Sequence, residues 1–145
     1  MTNRPVALVT GATRGIGRAI AVELSLTHRI LVGGRDAARA GELVAELDDA
    51  APFVCDLTDD GAVAEACAGI GRLDVLVHSA GIGRSNDVGL ASRALWREVF
   101  ETNVFAVADL TRLLLPALEA ARGIVVAINS GAGFFSSPGG GVYAG

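Results

Sequence analysis

A turn rich in glycine, from Thr10 to Gly17, stands between an apolar, strand-like run and a stretch with helical spacing. Gly11, Gly15 and Gly17 would let the chain turn sharply and bring its backbone close to a ligand. The N–H groups of a helix that starts here would face an anion such as a pyrophosphate. Glycine also serves tight turns that bind nothing, but its position at a strand-to-helix junction favours phosphate binding.

The elements that must position this turn follow from the hydrophobic pattern. Short β-branched runs predict strands at Val6–Thr10, Arg29–Gly33, Pro52–Cys55, Leu73–His78 and Gly123–Asn129. Helical spacing predicts helices at Ile16–Leu26, Ala37–Leu47, Asp59–Ala68, and from Ser92 as N-cap to Arg122, bent or broken at Pro116. This alternation is typical of right-handed βαβ crossovers. The predicted fold class is α/β, a doubly wound parallel sheet in one domain over residues 1–145.

The composition excludes several classes of function. The net charge of −4 argues against a nucleic-acid surface, and no apolar run is long enough to span a membrane. Cys55 and Cys67 lack the spacing of metal ligands, so we expect no metal site and two buried thiols in a reducing compartment. The N-terminus reaches a strand pattern too soon for a signal peptide. We therefore expect a cytoplasmic protein.

Several segments, in a fixed order, resemble motifs of one enzyme family. The run from Thr10 to Gly17, TGATRGIG, resembles the glycine motif of the short-chain dehydrogenase/reductase family in its single-domain branch. Cys55-Asp56-Leu57 resembles the family's adenine-contacting turn, and His78-Ser79-Ala80-Gly81 its NNAG motif. Trp96 with Asn103 resembles its long-helix pattern, and Ser130 with Tyr143 its catalytic spacing. The resemblance implies a Rossmann-like sheet of strand order 3-2-1-4-5 that lacks the family's C-terminal strands.

The resemblance also implies a nicotinamide dinucleotide cofactor. The carboxylate that binds the ribose of NAD would fall at Gly34, whereas Arg14 and Arg35 suit a 2′-phosphate, so NADP(H) is favoured over NAD(H). Both arginines could instead be solvated, Asp36 could cap a helix or bind the ribose, and Asp56 could be a helix cap. The implied cofactor-binding residues are Gly11, Thr13, Arg14, Gly15, Ile16, Gly17, Arg35, Asp56, Leu57, Ser79, Ala80 and Gly81.

The same resemblance implies hydride transfer to or from a small-molecule carbonyl or alcohol. Tyr143 would be the acid and base, Ser130 would orient the substrate oxygen, and Asn103 would hold a relay water. Each has a structural alternative: Tyr143 could cover the sheet, Ser130 could form a turn, and Asn103 could tie its helix to the fourth strand. His78 is interpreted as structural.

One family residue is absent from the chain. The lysine of the YxxxK motif, which stabilises the tyrosine phenolate, would fall two residues beyond Gly145, and all 12 basic residues are arginine. We therefore expect a C-terminally incomplete portion of a longer enzyme with an uncovered fifth strand, or a short chain that pairs through that edge. Two functions stay open: an NADP(H)-dependent oxidoreductase, expected to be a homo-oligomer, and a nucleotide-binding or interaction module without catalysis.

Overall fold

The computed structural model describes residues 4–84, 86–135 and 137–144. The strands are β1 (Val6–Val9), β2 (Arg29–Gly34), β3 (Ala50–Val54), β4 (Val75–His78) and β5 (Ile124–Ala127). The helices are α1 (Gly15–Ser25), α2 (Ala37–Glu46), α3 (Asp60–Cys67), α4 (Arg93–Phe100), α5 (Ala106–Ala121) and α6 (Gly141–Ala144). A π-helical turn, Glu101–Phe105, joins α4 to α5.

The five strands form one sheet of order β3-β2-β1-β4-β5. All four neighbouring pairs are parallel, so every carboxyl end lies at the same edge. The predicted fold class and strand order are confirmed. Because the chain moves outward from β1 in opposite directions, the crevice between β1 and β4 is the topological switch point at which such sheets bind ligands.

Alternating residues of β1 point into two separate apolar layers. Leu8 packs with α3 and α5 on one face of the sheet, while Ala7 and Val9 pack with α1 and α2 on the other. All three side chains are fully buried. Helices on both faces therefore explain why this strand is continuously apolar rather than alternating. The same division holds along the sheet, with Leu76, Leu110 and Leu114 in the first layer and Ile30, Val32, Ala21 and Leu43 in the second.

Three helices, α2, α3 and α4, begin at side-chain caps. Asp36 accepts hydrogen bonds from the N–H groups at the start of α2, and Asp59 does so for α3. Ser92 caps α4, as predicted. Helix α1 follows Arg14, which makes no side-chain capping bond. The orphan N–H groups of α1 are therefore open to another acceptor.

The long helical segment differs from the prediction at Pro116. Helix α5 continues through Pro116 to Ala121, so of the two predicted alternatives the break is wrong, whereas the bend stays a prediction. Pro116 cannot donate to the carbonyl of Arg112, but both residues are exposed, so water can satisfy that carbonyl. The regular hydrogen-bond pattern changes instead at the π-helical turn, which the sequence did not indicate.

The two edges of the sheet differ in how they meet solvent. Strand β3 begins at Ala50, earlier than predicted, and Pro52 lies inside it. An edge strand tolerates proline because one side of its backbone needs no partner. Every residue of β5 is exposed, as expected for an uncovered strand. No helix in the described part of the chain is long and apolar enough to cross a membrane.

Candidate active site

The glycine turn between β1 and α1 brings its backbone against the loop that follows β4. Gly11 has a φ of +62°, in the left-handed region that favours glycine. A Cβ atom at Gly11 would lie only 2.9 Å from the Cα of Ala80. One at Gly17 would overlap the carbonyl oxygen of Gly11. Glycine is thus required by conformation at Gly11 and by close approach to protein backbone at both positions; the predicted sharp turn is confirmed, and the approach to a ligand stays a prediction.

The start of α1 provides unpaired donors at the switch point. Gly15, Ile16 and Gly17 occupy the first turn, where N–H groups have no acceptor within the helix. Ile16 is 64% exposed, so this turn is open to solvent. The partial positive charge of a helix N-terminus adds to these donors, and together they can hold a phosphate group.

The hydroxyl of Thr10 joins the glycine turn to β4. Its oxygen accepts hydrogen bonds from the N–H groups of Ser79 (3.1 Å) and Ala80 (3.0 Å), and it donates to the carbonyl of Val77 (3.4 Å). Thr10 is 2% exposed. The two N–H groups are therefore already satisfied, so any nucleotide contact from Ser79 or Ala80 must come from a carbonyl or a side chain.

Two arginines near this crevice have guanidinium groups that no side chain of the described residues bonds directly. Within the described residues, the guanidinium groups of Arg14 and Arg35 form no hydrogen bond or ion pair, and both side chains are exposed. Asp36, directly after Arg35, points elsewhere: its Oδ1 accepts from the N–H groups of Ala38 (2.9 Å) and Arg39 (3.2 Å). The alternative of Asp36 as a helix cap is confirmed. The two free cations can therefore meet an anion.

The segment after β3 carries a carboxylate held in a tight turn. Asp56 accepts from the backbone N–H (2.9 Å) and the hydroxyl (2.8 Å) of Thr58. These bonds, with a smaller contribution from the charge of Arg35, lower the pKa of Asp56. Asp59, not Asp56, caps α3. The expectation that Asp56 could be a helix cap is thus wrong, while the placement of Asp56 and Leu57 beside the nucleotide crevice remains a prediction.

The amide of Asn103 ties the long helix to the loop that follows β4. Its Oδ1 accepts from the N–H of Ile82 and its Nδ2 donates to the carbonyl of Ile82, both at 2.9 Å. Asn103 lies in the π-helical turn, and its Oδ1 is 3.3 Å from the position of a Cβ at Gly81. Asn103 thus has a structural role, although it ties the helix to the loop after β4 and not to the strand itself, and a relay role stays a prediction.

His78, at the end of β4, is a buried structural residue. Its Nε2 lies 2.9 Å from the hydroxyl oxygen of Thr111, and that hydroxyl donates to the carbonyl of Val107. Because the single hydroxyl hydrogen is used there, His78 donates through its Nε2–H. Burial lowers the pKa of His78, which favours this neutral form. The structural interpretation of His78 is supported by this bond to a side chain of α5.

Ser130 and Tyr143 lie on neighbouring elements after β5. Ser130 caps the 3-10 turn Gly131–Gly133 by accepting from the N–H of Ala132 at 3.2 Å, which is its predicted structural alternative. Tyr143 lies on α6, which packs against that turn. Tyr143 is 41% exposed and lines a pocket of about 370 Å³ with Ala132 and the loop at Gly83. A substrate could thus reach the tyrosine ring.

The start of α6 is held against the loop after β4 by backbone contacts. The N–H of Gly141 donates to the carbonyl of Asn86 (3.2 Å), and the N–H of Gly139 donates to the carboxylate of Asp87 (3.0 Å). Both loops lie at the carboxyl edge of the sheet. The fold therefore brings the element that carries Tyr143 to the edge that carries the glycine turn.

The sequence from residue 5 to residue 145 matches the family model for short-chain dehydrogenases. The chain belongs to this family. A short-chain dehydrogenase of Penicillium roqueforti, anuI, is 38% identical over 130 residues, which are 82% of this chain and 52% of that protein. The chain spans about half the length of the curated relatives that it matches.

Solved members of the short-chain dehydrogenase family share the fold. A metagenomic short-chain oxidoreductase in complex with NADP has a TM-score of 0.89 at 35% identity, covering 97% of this chain and 68% of its own. A 7α-hydroxysteroid dehydrogenase in complex with NADH has a TM-score of 0.89 at 27% identity. The match covers 97% of this chain and 58% of the dehydrogenase. Family membership is therefore compatible with either nicotinamide cofactor.

Sequence reasoning missed the residues that hold this family site together. Thr10 belongs to a recognisable motif, whereas Thr58 and Thr111 do not. For Thr10 the available signal is a hydroxyl at the end of a buried apolar strand, because a buried polar group must find partners. Thr58 is exposed and Thr111 lies in a helix, so neither carries that signal. The partners themselves, far along the chain, become visible only in three dimensions.

Proposed function

We propose that this chain forms the nucleotide-binding part of an NADP(H)-dependent oxidoreductase acting on a small carbonyl or alcohol compound. The observation that carries the proposal is the uncapped start of α1 beside the two unpaired guanidinium groups of Arg14 and Arg35. The N–H groups at the start of α1 suit a pyrophosphate, and the guanidinium groups suit an additional phosphate on the ribose. A short-chain dehydrogenase with NADP bound is among the structural relatives.

The glycine turn would present backbone to the dinucleotide. Gly11 and Gly17 let the turn pack directly against backbone, because a Cβ at either position would overlap Ala80 or Gly11, and the N–H groups at the start of α1 would then face the pyrophosphate. Asp56 and Leu57 would lie beside the adenine, and the carbonyl groups of Ser79, Ala80 and Gly81 beside the nicotinamide half. Thr13, Arg14 and Arg35 would surround the 2′-phosphate.

The bound dinucleotide would supply or accept the hydride at the substrate carbon. In the reducing direction, the hydroxyl of Tyr143 would donate a proton to the substrate oxygen, and in the oxidising direction its oxygen would accept one. Ser130 accepts a hydrogen bond from Ala132, so its own hydroxyl hydrogen can be donated to that oxygen. Asn103 would hold a water that returns the proton to Tyr143.

A titration with NADPH and NADH, followed by nucleotide fluorescence, tests the cofactor proposal. We expect NADPH to bind more tightly, and Arg35→Ala to weaken NADPH binding about tenfold while leaving NADH unchanged, because a charge-assisted bond is lost. Arg39→Ala is the matched control, since Arg39 is a nearby exposed arginine already paired with Asp36. Equal affinities of the native chain for the two nucleotides would contradict the proposal.

Oxidation of NADPH in the presence of a panel of ketones and aldehydes tests the chemistry. We expect substrate-dependent oxidation that Tyr143→Phe abolishes without changing NADPH affinity, because the variant lacks only the proton donor. Full activity of Tyr143→Phe would rule out the assigned role.

A second candidate is a nucleotide-binding module without catalysis. It is favoured by one observation: two of the predicted catalytic residues already make structural hydrogen bonds, Ser130 with the N–H of Ala132 and Asn103 with the backbone of Ile82. Tight NADPH binding with no oxidation on any substrate of the panel would support this candidate over the first.

A further inference from the structure

The end of β2 offers two adjacent glycines whose surroundings differ in kind. A Cβ at Gly33 would lie 2.6 Å from the carbonyl oxygen of Val9 and 2.8 Å from the Cα of Thr10. A Cβ at Gly34 would lie 2.7 Å from the Cγ2 of Thr13, while the other two nearest atoms, both of Thr13, are 4.0 Å away. Backbone atoms therefore leave no space for a Cβ at position 33, whereas at position 34 a single methyl group occupies that space.

The backbone itself does not require glycine at position 34. The glycines with positive φ among the described residues are Gly11, Gly15 and Gly139, so Gly34 has a conformation that other residues adopt. Position 34 is also partly exposed and directly precedes Arg35. Without the methyl group of Thr13, a Cβ atom at position 34 would have no atom closer than 4.0 Å among those that now surround it.

We propose that Thr13 is a specificity-determining residue that acts through its γ-methyl group. By filling the space beside Gly34, the methyl excludes a carboxylate from the end of β2, where such a group would accept a hydrogen bond from a ribose 2′-hydroxyl. The same carboxylate would repel a 2′-phosphate. The consequence for nucleotide choice rests on the proposed function. The steric part of the inference, the overlap between a Cβ at position 34 and the methyl group of Thr13, does not depend on any ligand.

Thermal unfolding without a ligand tests the overlap between position 34 and the methyl group of Thr13. Gly34→Ala should lower the midpoint of thermal unfolding, because its Cβ overlaps the Thr13 methyl. Thr13→Ser, which removes only the methyl, should restore the midpoint in the Gly34→Ala background. Thr13→Val, which keeps a methyl at that position, is the matched control and should not restore it. Effects of Thr13→Ser and Gly34→Ala that simply add would overturn the inference.

A nucleotide experiment tests the consequence for specificity. We expect Thr13→Ser/Gly34→Asp to bind NADH about tenfold more tightly than Gly34→Asp alone, within the range seen for contacting pairs. The same double variant should bind NADPH about tenfold more weakly than Thr13→Ser/Gly34→Asn, which has the same size without the charge. Equal NADH affinity of Gly34→Asp and the double variant would overturn the inference.

The two arms separate the inference from the proposed function. If the native chain binds NADH as tightly as NADPH, the proposed function fails, and the unfolding midpoints still decide the steric inference. If Gly34→Asp does not fold while the double variant does, the methyl is shown to be the obstruction. If neither folds, the Gly34→Ala series alone decides between coupling and additivity.

Discussion

One hydroxyl group joins the two strands that flank the nucleotide crevice. Thr10 bonds to Val77, Ser79 and Ala80, and it is almost fully buried. Its oxygen thus fixes the loop after β4 against the glycine turn. A buried N–H group left without an acceptor is costly, so the crevice depends on this single oxygen atom.

Replacing Thr10 with valine should therefore destabilise the chain. Thr10→Val keeps the shape but leaves the N–H groups of Ser79 and Ala80 without an acceptor, so we expect a loss of about 1–3 kcal/mol in the free energy of unfolding. Thr10→Ser, which keeps the hydroxyl, should lose less. Urea denaturation measures both, and a Thr10→Val variant as stable as Thr10→Ser would contradict the role of the oxygen.

Neighbouring residues at the end of β2 show the limit of prediction at this scale. The sequence placed Arg35 and Asp36 at the cofactor end of the strand, but it could not say which of them was free. The structure shows that Asp36 is engaged by the N–H groups of α2, whereas the guanidinium of Arg35 makes no hydrogen bond or ion pair among the described residues. Which side chain is engaged depends on where a helix starts, and sequence fixes that start only within a few residues.

At the scale of elements, β5 is the exposed edge of the sheet. It pairs only with β4 in the described part of the chain, and Ile124, Val125 and Val126 are 58%, 47% and 38% exposed. An apolar strand with an unpaired edge is a template for pairing with another chain. Association of chains through β5 is the expected result.

A charge on this strand should suppress that association. We expect Val125→Lys to raise the monomeric fraction in light scattering and to leave NADPH affinity unchanged, because β5 lies apart from the glycine turn. Val22→Lys is the matched control: Val22 is 39% exposed on α1, and the change in charge is the same. Equal effects of the two substitutions would show that net charge, not the strand edge, governs association.

The succession of elements could be predicted, but their irregularities could not. Apolar runs and helical spacing gave all five strands and the main helices, because burial on both faces of a parallel sheet leaves a strong pattern. Pro52 inside β3 and Pro116 inside α5 are tolerated because each lies where its missing N–H can go unused. Whether a proline is tolerated inside a strand or helix depends on which side of that element faces solvent. Only tertiary packing decides this.

The stability of the whole molecule should depend on pH through His78. Burial lowers the pKa of His78 below its ordinary value of 6.5, so the folded chain binds a proton less readily than the unfolded chain. Above pH 6.5, His78 is neutral in both states and does not change the free energy of unfolding. Stability is lost as the pH falls from 6.5 towards the lowered folded pKa.

Unfolding midpoints in urea between pH 7 and pH 5 test this dependence. We expect the native midpoint to fall over this range and His78→Gln, which keeps a donor but cannot be protonated, to give a flatter profile. His28→Gln removes the other histidine, which is only half-buried, and serves as the control. If His78→Gln has the same profile as the native chain and His28→Gln has a flatter one, the pH dependence comes from His28 and the prediction is contradicted.

The central position of β1 also sets the order in which the molecule is assembled. The N–H of Val6 donates to the carboxylate of Asp74, 68 residues further along, whereas β2 and β3 are near neighbours in sequence. Contacts between distant residues form slowly because the intervening chain must first be ordered. The crevice between β1 and β4 is therefore expected to close late in folding, and nucleotide capture would mark a chain whose sheet is already complete.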